Sequence, residues 1–440
     1  MDIKTFHNLQ CEFDKVLLLK DRGILKALCA TVIANRMSGN AVWLFLVAGP
    51  SSGKSEFLES LNGLEFIHPI STLTVNTFAS GQRREGMETS LLYKLNNGIL
   101  VFKDFTSIIT KNREAMQEIM GQLREIYDGS FVKETGTGFS IKWKGRIGLI
   151  AGITSIIDNE SKNFAVMGER FIQYKIINPD RVEALRRAWD NSFDIKEKRE
   201  HLKLCMKSYL EHILNTVDEE RIKFDDDTKN NLFEIANFIT LARSGVVSDF
   251  RTGNVLFVPE YEMPMRVSQQ LHGIACGLAM LNKAEPLANK TDNAILTLED
   301  ISILYKIALD SIPTPRRITL INLAKYRGGL TTAGLATKTK YPTDTVKMWL
   351  QQVNALGLCD RIKGTRDDLW KLKEEYRDTI EKFEHIHAID GELTEDEAEK
   401  IENLAPDIKA DEFDVEVALL FQQKEEEELL KKQEEIKYND

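Results

Sequence analysis

Apolar residues recur along this 440-residue chain with two different periods, and each change of period marks an element. Phe13, Val16, Leu17, Leu19, Leu25, Leu28 and Ile33 fall at helical spacing. They predict a helix over residues 13–36, interrupted near Gly23 and closed by Ser38, Gly39 and Asn40. The period then shortens. Trp43-Leu44-Phe45-Leu46-Val47 is an unbroken apolar run between turn residues, as expected of a strand buried on both faces of a parallel sheet. Similar runs at Phe66–Ile70, Ile99–Phe102, Ile147–Ala151 and Phe171–Ile176 alternate with helical stretches such as Arg113–Tyr127. That alternation predicts an α/β fold with a parallel sheet and helical crossovers. Phe131–Lys144, around Thr135-Gly136-Thr137-Gly138, reads as a hairpin inserted between helix and strand.

From Asp180 to about Leu281 the pattern is helical, with a loop around Ser244–Pro264. A smaller unit then runs from Thr297 to Phe383. Within it, Ile318–Arg327 reads as a helix closed by Gly328-Gly329, and Thr331–Thr339 as a short second helix. After the Tyr341-Pro342 turn, Thr343–Leu356 is a third helix whose apolar stripe runs through Val346, Trp349, Leu350, Val353 and Leu356. Leu358–Ile362 and Leu369–Leu372 flank Lys363-Gly364-Thr365-Arg366, a strand pair with a basic loop. The pattern is that of a helix-turn-helix with a wing.

Charge changes the picture of possible partners. The formal net charge is −10, from 58 bases and 68 acids. Of these, 6 bases and 19 acids fall in residues 387–440, leaving 52 and 49 in the body. The body is therefore mildly basic, and the acidity sits in a Glu-rich tail that suits either a solvated helix or a disordered segment. No apolar run approaches the roughly 20 residues needed to cross a bilayer. The first residues lack an apolar export signal, so no membrane is expected and cytoplasm is the expected location. The five cysteines form no CxxC pair, which argues against a zinc site or a disulfide framework.

Candidate chemistry begins at Ala48-Gly49-Pro50-Ser51-Ser52-Gly53-Lys54-Ser55. It fits the phosphate-binding loop pattern with alanine in first place, set between a buried strand and a helix. Small residues let successive backbone N–H groups converge on phosphate oxygens, and the lysine reaches the β and γ phosphates. Ser55 would offer its hydroxyl to Mg²⁺. Such a site also needs an acid at the tip of a second buried strand. Ile99–Phe102 leads to Lys103-Asp104-Phe105, a single carboxylate where many ATPases carry an Asp-Glu pair. Two roles fit Asp104: the metal-side acid, with Glu85, Glu125 or Asp128 as base, or the base itself.

The stretch from Phe102 to Lys133 resembles the helix-2-insert branch of AAA+ ATPases, minichromosome-maintenance helicases in particular. The likeness rests on Asp104-Phe105-Thr106, Gln117-Glu118-Ile119-Met120-Gly121-Gln122 and the hairpin start Ser130-Phe131-Val132-Lys133. Gly148–Thr154 resembles the sensor-1 strand with Thr154 at its polar tip, and Met167-Gly168-Glu169-Arg170-Phe171 resembles an arginine-finger motif. Arg266, opening the helix after Pro264, resembles a sensor-2 arginine. The chain is also similar to ATP-binding proteins of phages and mobile elements that end in a helix-turn-helix. The resemblance covers about residues 20–280.

The resemblance implies ATP and Mg²⁺ as cofactors and an ATPase that assembles into a homo-oligomeric ring, possible as a hexamer, in which Arg170 completes a neighbour's site. Pattern, charge and resemblance together give these segments: an N-terminal helical segment at 1–40, an AAA+ core at 41–180, a helical lid at 181–290, a winged helix-turn-helix at 297–383 and an acidic tail at 387–440. DNA is the expected partner, met by Lys133, Lys142 and Lys144 of the hairpin and by Thr343, Lys347, Lys363 and Arg366 of the C-terminal unit. The tail would compete with DNA, keep the protein soluble or bind a protein partner. Two functions fit. One is a DNA-acting helicase, helicase loader or initiator; the other is a nucleotide-gated transcription regulator or defence switch with slow hydrolysis, as the single carboxylate suggests.

Overall fold

The computed structural model describes residues 3–50, 52–78, 91–95, 97–134, 140–158, 170–176, 181–217, 222–249, 254–285 and 296–386. The expectations for Ser51, Glu85, Met167–Glu169, the hairpin tip at 135–139 and the tail at 387–440 lie outside them.

Five parallel strands form the central sheet: β1 (Trp43–Val47), β2 (Ile67–Ile70), β3 (Ile99–Phe102), β6 (Gly148–Ile153) and β7 (Ile172–Lys175), with β4 and β5 forming the hairpin described below. Their order is β2-β3-β6-β1-β7, so the first strand lies inside the sheet and the chain crosses over it to reach β7. Strand alternation divides the sheet's side chains between two apolar layers. Leu44, Leu46, Val101, Ile150 and Tyr174 face one, and Trp43, Phe45, Phe102, Leu149 and Ile153 face the other. Both faces are covered, which is why these strands read as continuous apolar runs rather than alternating ones.

The second layer is closed by the Arg113–Tyr127 helix and by the antiparallel hairpin β4 (Ser130–Glu134) and β5 (Ser140–Lys144). In β5, Ile141 and Trp143 point into the core while Ser140, Lys142 and Lys144 point out. The first layer is more extensive. Its centre is the Gly23–Ala34 helix, in which every residue from Ile24 onward is buried. The Met265–Ala284 helix lies against it so closely that a Cβ on Gly277 would sit 2.3 Å from the Ala30 carbonyl oxygen. Glycine at 277 permits that crossing.

The N-terminal helical expectation needs correction. Two helices replace one, Phe6–Asp14 and Gly23–Ala34. The first starts earlier because Thr5 caps it, accepting from the Asn8 N–H at 3.2 Å. The second starts at Gly23, where a side chain would lie 2.7 Å from the Tyr174 hydroxyl. The loop expected at Ser244–Pro264 contains a short ribbon, β8 (Val247–Ser248) with β9 (Val255–Phe257).

The Leu298–Asp310 helix, expected to open the C-terminal unit, packs along β7 and closes the sheet's edge. Ser311 Oγ accepts from the Gln173 N–H at 2.9 Å, and Asp310 accepts from the Lys175 N–H at 2.8 Å. The edge strand's outward donors are thereby satisfied within the chain. Three further helices, Thr314–Lys325, Thr332–Thr339 and Thr343–Ala355, support an antiparallel sheet of β10 (Leu330–Thr331, between the first and second of them), β12 (Leu369–Leu372) and β11 (Cys359–Ile362), in the order β10-β12-β11. This unit shares one apolar core with the rest of the first layer, continuous from Ile3 to Ile380. Among the described residues no helix is long and apolar enough to cross a membrane.

Candidate functional site

The loop that leaves β1 is built by backbone geometry. Ala48 N–H bonds the Ile153 carbonyl at 3.1 Å, so β1 stays paired with β6 to its end. The chain then turns. Ser52 Oγ donates to the Gly49 carbonyl at 2.8 Å. Gly53 takes φ +83°, a left-handed conformation that a side chain would strain, and starts the Lys54–Ser60 helix. No described atom lies within 4 Å of a Cβ placed on Gly49, so that side of the loop is open. Lys54 folds back into it, donating to the Ala48 carbonyl and, at 2.6 Å, to the Gly49 carbonyl. Burial pushes the Lys54 ammonium below its ordinary pKa, and the Asp104 charge opposes that. Pro50 and Ser55 are exposed beside it.

Asp104 is placed by the neighbouring strand. Phe105 N–H bonds the Gly152 carbonyl at 2.8 Å, and a Cβ on Gly152 would sit 2.6 Å from the Lys103 carbonyl oxygen. A glycine in β6 is thus what lets the turn after β3 cross so near. Asp104 Oδ1 accepts from the Thr106 N–H at 2.9 Å, an Asx turn that fixes the exposed carboxylate. Thr106 Oγ1 accepts from the Thr154 N–H at 3.2 Å and lies 3.3 Å from the Thr154 hydroxyl. The side chains beside Asp104 turn elsewhere: Lys103 reaches Glu59 at 2.6 Å, and Phe105 is fully buried. Lys54, Ser55, Asp104, Thr106 and Thr154 therefore gather at the carboxyl edge of the sheet. Open α/β sheets bind their ligands at that edge, where strand order reverses.

The donor set fits a magnesium polyphosphate. Lys54 would be the cation, the glycines leave the backbone open, and Ser55 and Asp104 are oxygen donors of the kind a hard divalent ion takes. Sequence reasoning passed over Thr106, although an Asp-x-Thr directly after an apolar strand is the visible signature of its turn.

Arg170 and Arg266 lie at the opposite, amino edge of the sheet. Arg170 is buried, with Nη2 2.7 Å from Asp128 Oδ2 and its guanidinium 5.6 Å from the Tyr127 ring centre. Arg266 pairs with Glu262 at 2.8 Å and stands 5.9 Å from the same ring. Burial pushes the Tyr127 hydroxyl up to about 12. A five-residue strand spans roughly 16 Å at about 3.3 Å per residue, so neither arginine reaches its own chain's loop. Asp128 and Glu125 close the helix that ends at this edge, and neither stands beside Asp104.

The expected nucleic-acid residues fall into two exposed groups. Lys142 and Lys144 stand on the hairpin's outer face, with Lys133 paired to Glu118 at 3.3 Å. Thr343, Lys347, Lys363 and Arg366 are all exposed on the C-terminal unit, where Arg361 is ion-paired to Asp368.

One half-buried cluster had no signal in the sequence. Asp158, four residues beyond Thr154, accepts from the Thr314 N–H at 3.1 Å and from its hydroxyl at 2.6 Å. Lys175, at the end of β7, stands 3.2 Å from the same carboxylate and donates to Thr314 Oγ1 at 2.5 Å. The Thr314–Lys325 helix is thus fastened at its start to the sheet edge that carries the loop.

No protein-family model matches the chain, and no curated protein matches it.

Proposed function

We propose that the chain is an ATP-binding and ATP-hydrolysing protein of the AAA+ type that acts on DNA, with a winged helix as its C-terminal unit. The observation that carries this reading is the convergence of Lys54, Ser55, Asp104 and Thr154 on one edge of a five-stranded parallel sheet, around an open glycine loop. In this reading Lys54 leaves the Ala48 and Gly49 carbonyls for the β and γ phosphates. Ser55 and Asp104 would hold Mg²⁺, which would supply positive charge to offset that developing on a transferred phosphoryl group. Thr154, held by Thr106, presents a hydroxyl at the γ-phosphate side.

Two exposed apolar faces support assembly with further copies. The Arg181–Asp190 helix has no buried residue, and is fixed by Arg187 donating to the Leu17 carbonyl at 2.8 Å. It presents Leu185 and Trp189 to solvent, with Phe193 99% exposed just beyond. Leu17 lies against Gly53, so this face borders the loop. Met263 and Met265 are exposed beside Arg266 at the other edge. Two different faces that meet make a head-to-tail contact, which closes into a ring when the rotation allows. Such a contact would bring Arg170 and Arg266 toward a neighbour's loop. ATP turnover measured with and without single- and double-stranded DNA, alongside mass by light scattering, tests the reading. DNA-stimulated turnover by an oligomer is expected; a monomer that neither binds nor hydrolyses ATP overturns it.

A slower, nucleotide-gated regulator remains the second reading. It is favoured by the single carboxylate at Asp104, where Lys103 is drawn to Glu59. ATP-dependent assembly with turnover unaffected by DNA would select it.

A further inference from the structure

Away from the loop, three side chains of metal-ligating type meet between helices far apart in sequence. Glu12 lies on the Phe6–Asp14 helix, and His201 and Cys205 lie one turn apart on the Ile195–Thr216 helix. Glu12 Oε2 stands 2.8 Å from His201 Nε2, and Cys205 Sγ stands 3.4 Å from the same nitrogen. All three donor atoms lie within 4.8 Å of one another. We propose that Glu12, His201 and Cys205 form a zinc site that staples the N-terminal helix to the helix bracing the phosphate loop.

The donor chemistry selects the ion. A thiolate with an imidazole favours a borderline-soft divalent cation over Mg²⁺ or Ca²⁺, and one carboxylate completes a three-ligand set with water in the fourth position. Tetrahedral bonds of about 2.3 Å to sulfur and about 2.0 Å to nitrogen put those two ligands roughly 3.5 Å apart, close to the spacing present. The Glu12–His201 pair opens by about half an ångström to admit the ion. The surroundings fit as well. Lys15 binds Glu12 through the other oxygen, Oε1, at 2.7 Å, and so orients Oε2 toward the cluster without occupying it. Cys205 is fully buried, so its sulfur is shielded from bulk solvent where it faces His201.

The site has a mechanical consequence. Two residues before His201, Arg199 pairs with Glu56 at 2.5 Å, and Glu56 follows Ser55 at the start of the Lys54–Ser60 helix. Phe13 stacks on Phe57 of that helix at 5.9 Å. A metal at Glu12, His201 and Cys205 would join the two elements that grip the helix from outside. This inference is independent of nucleotide binding.

The full-length protein, purified without chelator, is expected to carry one zinc per chain by elemental analysis. After zinc removal, titration with Co²⁺ is expected to give visible d–d absorption and a thiolate-to-cobalt charge-transfer band. Cys205→Ser should abolish that band and weaken zinc binding at least about a hundredfold, since losing even an outer-shell partner costs about ten- to a hundredfold. His201→Ala, at a partly exposed position, gives a second ligand deletion should Cys205→Ser fold poorly. Cys11→Ser, which changes an exposed thiol beside Glu12 on the Phe6–Asp14 helix, should leave the band intact. Wild-type protein with neither zinc nor a cobalt band overturns the proposal, as does a band that survives both ligand deletions.

Discussion

The two edges of the central sheet carry similar charged groups and handle them in opposite ways. At the amino edge, Arg170, Arg243 and Arg266 surround Tyr127 and are matched by Asp128 and Glu262 of the same chain. At the carboxyl edge, Asp104 is exposed and Lys54 rests on two carbonyls, while the flanking Lys103 and Lys175 are the ones paired to carboxylates, Glu59 and Asp158. A cation resting on carbonyls is easily recruited by a polyphosphate, whereas a buried ion pair resists being parted. The first edge is built to hold the fold or await a neighbour. The second leaves Lys54 on carbonyls that a polyphosphate could displace, as the proposed function requires.

The largest expected effect tests that contrast directly. Lys54→Ala should reduce ATP affinity more than about a hundredfold, since a charged hydrogen bond to phosphate contributes about 1.5–3 kcal/mol and the lysine makes several. The melting temperature should stay within a few degrees, because only two carbonyl contacts are lost. ATP titration with calorimetry and circular dichroism reads both. Unchanged affinity would remove the basis for assigning the loop to phosphate.

Arg170→Ala should behave in the reverse manner. Losing the packing of the buried Arg170 side chain and its pair with the exposed Asp128 should cost about 1 kcal/mol of stability while ATP binding persists. Hydrolysis should fall, and mixing with Lys54→Ala protein should restore part of it through hybrid interfaces. If no mixing ratio recovers turnover, Arg170 belongs to the fold alone.

Thr106→Val is a finer probe of the carboxyl edge. It removes the acceptor for the Thr154 N–H, and should lower turnover about tenfold with at most about 1.5 kcal/mol lost on unfolding. Turnover equal to wild type would show that Thr154 needs no such support.

The smallest effects concern DNA and should leave ATP affinity alone. Lys347→Ala should weaken DNA binding modestly and reduce the salt slope by about one. Removing residues 387–440 should tighten DNA binding at low salt, with the gain shrinking as salt rises, because tail and phosphate contacts are both screened. A change in ATP affinity in either variant would blur the division between the two surfaces.

Much of the sheet was legible because its strands are buried on both faces. The run Trp43–Val47 is β1 to the residue, Ile99–Phe102 is β3, and Arg113–Tyr127 is a helix with the expected bounds. The phosphate-loop pattern was legible for a related reason: glycine is required where the backbone turns left-handed at Gly53, and the requirement leaves its mark in the sequence. The N-terminal helices were misjudged because Val16, Leu17 and Leu19 carry helical spacing yet lie in a connecting turn, packed against elements brought in from elsewhere.

By itself the sequence determined what local periodicity and local chemistry can encode: strand runs, helix faces, a glycine loop ending in Lys54, and an acid after β3. Only the tertiary structure decided which charges stand together. It set Arg170 against Asp128, away from the loop, and joined Asp158 to Thr314 across 156 positions. It also brought Glu12 within 2.8 Å of His201 across 189 positions. Such pairings depend on how buried helices pack, and packing depends on shape complementarity summed over a whole layer. No window of the sequence contains that sum.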